Sequence, residues 1–76
     1  MKTVKVYSTP TCPWCHRAKD YLNNKGVQFE DIDVSKNPEK AQEMVKISGQ
    51  MGVPVIIIDN EVVIGFDQSK LDKLLA

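Results

Sequence analysis

The sequence predicts an α/β fold, a mixed four-stranded sheet with three helices packed on it, in the order β-α-β-α-β-β-α. Three observations predict it. Strand-like and helix-like stretches alternate along the 76 residues. Pro13 and Pro38 each sit where a first helical residue belongs, a position at which the missing N–H costs nothing. Near the end, the β-branched run Val55-Ile56-Ile57-Ile58 is followed by a two-residue turn and a second apolar stretch. A parallel β-α-β unit joined to an antiparallel hairpin satisfies all three.

Each element has its own warrant. Val4-Lys5-Val6-Tyr7 alternates with period two and Ser8-Thr9-Pro10-Thr11 ends it, which is a short strand and a loop. Cys15, Ala18 and Leu22 recur at spacings of three and four, one apolar stripe of a helix that Gly26 closes as a left-handed cap. Val27 to Val34 has strand composition, but its apolar phase slips between Phe29 and Ile32, through either a bulge or burial of both faces. Asn37-Pro38-Glu39 reads as cap, first-position proline and first-turn acid. Ala41, Met44, Val45 and Ser48 form the expected inner face of that helix, and Gly49 ends it. Val55 to Ile58 is a strand covered on both faces, Asp59-Asn60 a hairpin turn and Glu61-Val62-Val63-Ile64 the returning strand. Asp67 or Ser69 caps a last helix with Leu71, Leu74 and Leu75 turned inward.

At this length the chain is a single domain, residues 1–76, with no room for a second core. Ten basic residues balance ten acidic ones, so no surface is marked for a polyanion, and nucleic acid is not an expected partner. Charged residues interrupt the start where a signal peptide needs an apolar run, and no stretch approaches the roughly 18 apolar residues of a membrane span. The expectation is a cytoplasmic protein with no membrane partner. In such a reducing compartment, two cysteines are more often catalytic or metal-binding than a permanent staple.

Those cysteines admit two incompatible readings. Cys12-Pro13-Trp14-Cys15-His16 fits the C-x-x-C-H pattern of c-type haem attachment, and Cys12 to Cys15 alone fits a redox pair that opens a helix. Haem needs an apolar or largely helical wrap and a second axial ligand. The alternating element order offers no such wrap, and neither Met44 nor Met51 stands out as the ligand. Zinc is equally ill served: two Cys and one His give three ligands at best, with His16 directly after Cys15. No metal site is expected, and His16 reads as a solvated first-turn residue.

The redox reading explains the placement. Cys12 lies at the loop-to-helix junction, where unpaired N–H groups and the positive helix end favour a thiolate, with Arg17 and Lys19 adding positive charge. Cys15 belongs to the inner stripe and is expected to be buried. An exposed thiolate that attacks and a sheltered thiol that resolves the mixed disulfide are what thiol–disulfide exchange needs. Trp14 offers an apolar platform beside the attacking sulfur.

"VYSTPTCPWC" resembles the active-site stretch of the glutaredoxins, and "SGQMGVPVIIIDNEVVIGF" resembles their second half. The likeness spans essentially the whole chain and implies a thioredoxin-like (glutaredoxin) fold. It implies a glutathione-dependent thiol–disulfide oxidoreductase with Cys12 as nucleophile, Cys15 as resolving thiol, glutathione as co-substrate and no tightly bound cofactor. Protein disulfides and glutathione mixed disulfides would be its substrates. Pro54 would be the family's cis-proline facing Cys12, leaving the backbone of Val53 to pair with the cysteinyl unit of glutathione. The residues alone make Pro54 a trans proline that starts a strand. Trp14 takes the place of the family's usual Tyr, and Gln50 falls where a polar or basic residue meets the glycyl carboxylate. Gly65, Phe66, Asp67 and Gln68 would offer helix-terminal N–H groups to the γ-glutamyl carboxylate. Otherwise Gln50 is a surface loop residue and Asp67 a helix cap.

Three positions depart from the family pattern. Thr9 replaces a common lysine, Gly52 replaces the Thr of Thr-Val-Pro, and Phe66 replaces the second glycine of a Gly-Gly turn. Gly65-Phe66-Asp67 is closer to the glutaredoxin-like redoxins that donate electrons to ribonucleotide reductase and are recharged by thioredoxin reductase. That is the alternative reading, in which Phe66 crowds the γ-glutamyl site or packs on a protein partner. The resemblance implies a third class, a module that bridges an iron–sulfur cluster between two subunits through the first cysteine and external glutathione, and it also suggests that a proline at Pro13, which stiffens the loop, disfavours it.

Overall fold

A computed structural model describes residues 3–50 and 52–75, so Met51 lies outside the described residues. The elements are β1 (Val4–Ser8), α1 (Pro13–Asn24), β2 (Glu30–Asp33), α2 (Pro38–Ser48), β3 (Val55–Ile58), β4 (Glu61–Ile64) and α3 (Gln68–Leu75). The sheet order is β2-β1-β3-β4, with β1 and β2 parallel and the other two pairings antiparallel. This is the expected thioredoxin-like order of strands and helices.

Because successive strand residues point to opposite faces, β1 and β3 feed two apolar clusters. On one face Val4, Val6, Ile56, Ile58 and Val63 meet Ala18 and Leu22 of α1 and Leu71 of α3. On the other, Tyr7, Ile32 and Val55 meet Met44 of α2. Val55 to Ile58 therefore is covered on both sides, as its unbroken apolar run requires.

The phase slip before β2 is not a bulge. The parallel register runs without interruption from Lys5↔Glu30 to Ser8↔Asp33. Phe29 simply packs against the first cluster while Ile32 belongs to the second.

Helix ends follow the capping chemistry, with two refinements. Asp67, not Ser69, caps α3: its Oδ1 accepts from Lys70 N–H at 3.2 Å and its carbonyl from Leu71 N–H at 3.0 Å. Gly26 stands one residue beyond the α1 cap, which is Lys25 in right-handed geometry. At φ +72° its N–H donates to Asn23 O and Val27 N–H to Leu22 O, both at 3.0 Å, which is the paired closure of a Schellman end.

The inner face of α2 is narrower than expected. Met44 alone is fully buried; Ala41, Val45 and Ser48 are half-buried. Only part of the helix covers the sheet, and Ser48 turns its hydroxyl back to donate to Met44 O at 2.7 Å. The hairpin turn at Asp59-Asn60 is tied to the start of β1 by Asp59 N–H to Thr3 O at 2.8 Å and Thr3 N–H to Asp59 Oδ1 at 3.0 Å. Among the described residues no helix is long and apolar enough to cross a membrane.

Candidate active site

The loop after β1 delivers Cys12 to the N-cap of α1. Its backbone is extended, and its Sγ accepts the Cys15 N–H at 3.2 Å, so a sulfur holds the place usually filled by a capping oxygen. Pro13 fixes the next turn. The loop is braced from behind by His16, whose Nε2–H donates to Pro10 O at 2.8 Å. His16 is thus exposed, as expected, but also a strut that the sequence did not reveal.

Both cysteines are free, and their surroundings differ. Cys12 is partly exposed, whereas Cys15 shows no exposed surface. Burial pushes the Cys15 thiol up to about 11, with a hydrogen bond to Cys12 and the charge of Cys12 acting the same way; the Thr9 backbone and Lys19 act against them. Trp14 stands outward, 55% exposed, with the Arg17 guanidinium 4.7 Å above its ring.

Two further segments close on Cys12. The Val53–Pro54 peptide bond is cis, which overturns the reading of Pro54 as a trans strand-opener. It sets the Val53 carbonyl 3.9 Å from Cys12 Sγ, within reach of a thiol S–H. The Pro54 carbonyl in turn accepts Gly65 N–H at 2.9 Å, which brings the turn before α3 against the proline loop. Gly65 adopts φ +75°, a conformation that favours glycine, and a Cβ there would meet nothing within 4 Å; the backbone rather than crowding selects the residue.

Of the residues expected around a peptide substrate, Cys12, Val53, Pro54 and Gly65 are thus linked by contact, and Trp14 stands two residues beyond Cys12 in the first turn of α1. Gln50 lies on an exposed loop fastened by its N–H donating to Ser48 Oγ at 3.3 Å. The Asp67 carboxylate caps α3, and Gln68 is exposed in its first turn. Phe66 turns inward, half-buried against the first cluster, its ring edge-on to Tyr21 at 5.6 Å between centroids.

A network beside Cys15 was only half visible in the sequence. Lys19, one turn beyond Cys15, donates from Nζ to Asp31 Oδ2 at 3.1 Å, and Asp31 Oδ1 accepts from the buried Ser8 hydroxyl at 2.8 Å. The helical spacing signals Lys19; Asp31 and Ser8 reach it only through the parallel register of β1 and β2. Among the described residues no group of three or more His, Cys, Asp and Glu side chains is placed to hold a metal ion.

The arrangement offers a reachable sulfur at a helix start, a sheltered second thiol one turn on whose backbone N–H that sulfur accepts, and the Val53 carbonyl nearby. The family model called Glutaredoxin matches residues 4–63. Glutaredoxin 3 of Escherichia coli is 45% identical over 67 residues, spanning 88% of this chain and 81% of that one. The crystal structure of a glutaredoxin from Archaeoglobus fulgidus superposes with a TM-score of 0.90 at 32% identity, covering 99% of this chain and 87% of its own. The glutaredoxin-like NrdH-redoxin of Escherichia coli superposes with a TM-score of 0.85 at 29% identity, covering 95% and 93%.

Proposed function

This chain belongs to the glutaredoxin family, whose members are thiol–disulfide oxidoreductases, and on that premise we propose that it is a glutathione-dependent one. In this reading Cys12 attacks a protein disulfide or a glutathione mixed disulfide. Cys15 then attacks Cys12, which releases the substrate thiol and leaves a Cys12–Cys15 disulfide. Glutathione, as co-substrate, returns the pair to dithiol. The reaction needs no resident cofactor, and a reducing cytoplasm is the compartment in which such a pair cycles.

The observation that carries the reading is the junction at Cys12: a partly exposed sulfur facing the Val53 carbonyl, with the Gly65 turn hydrogen-bonded to the same proline loop. The backbone of Val53 would pair with the cysteinyl unit as an added strand. The first N–H groups of α3, between Gly65 and Gln68, would meet the γ-glutamyl carboxylate. Trp14 would flank the peptide and Gln50 its glycyl end. The inward packing of Phe66 supports this, because the ring is engaged with Tyr21 rather than standing over the turn.

A second reading rests on the Gly65-Phe66-Asp67 turn and on Thr9 in place of a lysine. By those residues the chain would serve ribonucleotide reductase and be recharged by thioredoxin reductase. The NrdH-redoxin it resembles is described as having a thioredoxin-like activity profile. The two readings separate in one experiment. Turnover of a glutathione mixed disulfide is followed with glutathione, its reductase and NADPH, and separately with thioredoxin reductase and NADPH. Recycling by the first system is expected; recycling by the second alone would overturn the glutathione assignment.

A further inference from the structure

We propose that Lys19 is the positioning charge for the second half of the reaction, holding the Cys15 sulfur ready as a thiolate once Cys12 is bound in a mixed disulfide. This rests on the roles given above to Cys12 and Cys15.

The geometry begins with a problem. Cys15 must lose a proton to attack, yet it has no exposed surface through which water can stabilise the anion. A fixed cation must stand in for solvent. Lys19 lies four residues on, so the two side chains share a face of α1. Its side chain is only 18% exposed, against 41% for Lys25 and 38% for Lys40 in the two other ion pairs among the described residues. The ammonium is held by Asp31 of β2, and Asp31 by the hydroxyl of Ser8, itself 2% exposed. The lysine is thus largely covered along its length and paired at the surface with a carboxylate, itself 46% exposed, that the buried Ser8 hydroxyl fixes in place.

The groups acting on Cys15 are Cys12 and Lys19 from its own helix and the Thr9 backbone from the preceding loop, with Asp31 of β2 reaching it through Lys19. Two of the three influences that keep Cys15 protonated come from Cys12, as hydrogen bond and as charge. Both end when the Cys12 sulfur enters a mixed disulfide. Burial then opposes Lys19 and the Thr9 backbone alone. With those two influences gone, the balance acting on Cys15 moves toward the thiolate at the moment its attack is needed.

The step balances without an outside oxidant. Cys15 gives up its proton, which ends on the departing substrate sulfur, and its Sγ attacks the Sγ of Cys12. The Cys12–Cys15 bond forms, and the bond from Cys12 to the substrate sulfur breaks. The electron pair leaves with the substrate sulfur, which takes up a proton and departs as a thiol.

The test uses the full chain and one equivalent of 2,2′-dithiodipyridine, a neutral disulfide whose thiopyridone is coloured. The first release reports attack by Cys12 and the second reports attack by Cys15. With Lys19→Met the second release slows about tenfold at neutral pH, the loss expected when an opposite charge worth about one pKa unit is removed, and recovers as pH rises. Lys19→Arg restores the rate. Asp31→Asn breaks the ion pair but leaves the cation, and keeps most of the rate. Lys19→Gln gives the same answer as Lys19→Met should the methionine variant fold poorly. An unchanged second release and pH profile without Lys19 would overturn the proposal. So would an equal slowing in Asp31→Asn, since the ion pair rather than the charge would then matter. Cys15→Ser separates the premise: it stops after one thiopyridone, and a second release from it would mean that Cys15 is not the resolving thiol, whatever Lys19 does.

Discussion

The starts of α1 and α2 are built on one plan and differ in two atoms' worth of chemistry. Each has an extended cap residue followed by proline, Cys12-Pro13 in one and Asn37-Pro38 in the other. In each, the cap side chain accepts the N–H three residues on, at 3.2 Å: Cys15 N–H to Cys12 Sγ, Lys40 N–H to Asn37 Oδ1. One difference is that sulfur, a weak acceptor, replaces oxygen. The other is that α2 carries Glu39 in its first turn, while α1 has no acid there and has Arg17 close behind. The stabilising devices of an ordinary helix start are complete in α2 and withheld in α1. On the roles proposed for the two cysteines, stability is forgone at the start of α1, whose positive end is left open beside the Cys12 sulfur.

The largest test of that contrast replaces the odd atom. Cys12→Ser puts an oxygen at the cap, so disulfide exchange should vanish while the melting temperature holds or rises. Asn37→Ser, the same exchange at α2, should leave both nearly unchanged. A marked loss of stability in Cys12→Ser, seen by thermal unfolding, would show that the sulfur supports the fold in some way other than as a cap.

The two helices also differ in how firmly they are seated. α1 is seated by Cys15, Ala18 and Leu22, all without exposed surface, whereas α2 fully buries only Met44 and is tied to β1 by the Tyr7 hydroxyl donating to Glu43 at 2.9 Å. Leu22→Ala should cost about 2–5 kcal/mol and, by loosening α1, raise the rate at which iodoacetamide reaches Cys15. Met44→Ala should cost a similar amount by urea unfolding but leave the ratio of Cys12 to Cys15 alkylation unchanged, because Met44 packs on the opposite face of the sheet. Equal exposure of Cys15 in both variants would mean that the active-site helix is not anchored by its own face.

All seven elements were legible because their ends carry local chemistry: Asn37-Pro38-Glu39, Gly26, the Asp59-Asn60 turn. What escaped depends on distant partners. Whether Asp67 or Ser69 capped α3 turned on which side chain reached Lys70 N–H, and both are polar enough to try. The phase slip at Phe29 and Ile32 looked like a defect until the sheet had two covered faces. The direction of Phe66 depends on Tyr21, 45 positions earlier in the chain, and nothing in Gly65-Phe66-Asp67 specifies it. The cis form of Pro54 was implied by family likeness alone, since an isolated Val-Pro favours trans. The Ser8–Asp31–Lys19 chain joins a strand end, an edge strand and a helix, and only the register assembles it.

Alkaline pH sharpens the contrast between the two faces through Tyr7 on one and Cys15 on the other. Burial, then the hydrogen bond to Glu43 and the charges of Glu43 and Glu30, push the Tyr7 hydroxyl from 10.0 up to about 12; burial foremost moves Cys15 from 9.0 to about 11. Both folded values lie above the unfolded ones, so both groups stabilise the fold fully below pH 9.0. That contribution is lost as pH rises from 9.0 through about 11 for Cys15 and from 10.0 through about 12 for Tyr7, at about 1.4 kcal/mol per pKa unit. Urea midpoints should fall steeply above pH 9.0, and Tyr7→Phe should flatten the upper part of that slope. A slope indifferent to Tyr7→Phe would mean that the phenol ionises alike in folded and unfolded chains.

The smallest effect bears most directly on the two helix starts. Trp14 occupies in α1 the position that Glu39 occupies in α2, directly after the proline. Trp14→Glu therefore transplants the missing acid, and Trp14→Gln supplies the same shape without charge, so their difference isolates the helix-end interaction from loss of the indole. The acid should stabilise the helix start by about 0.3–1 kcal/mol relative to Gln. By the same interaction it competes with an anionic sulfur at Cys12, so alkylation by neutral iodoacetamide should run about two- to fivefold slower in Glu than in Gln. Stability and reactivity must move in opposite directions for the reading to hold. If Trp14→Glu and Trp14→Gln alkylate at the same rate, the open positive end of α1 has no part in what Cys12 does.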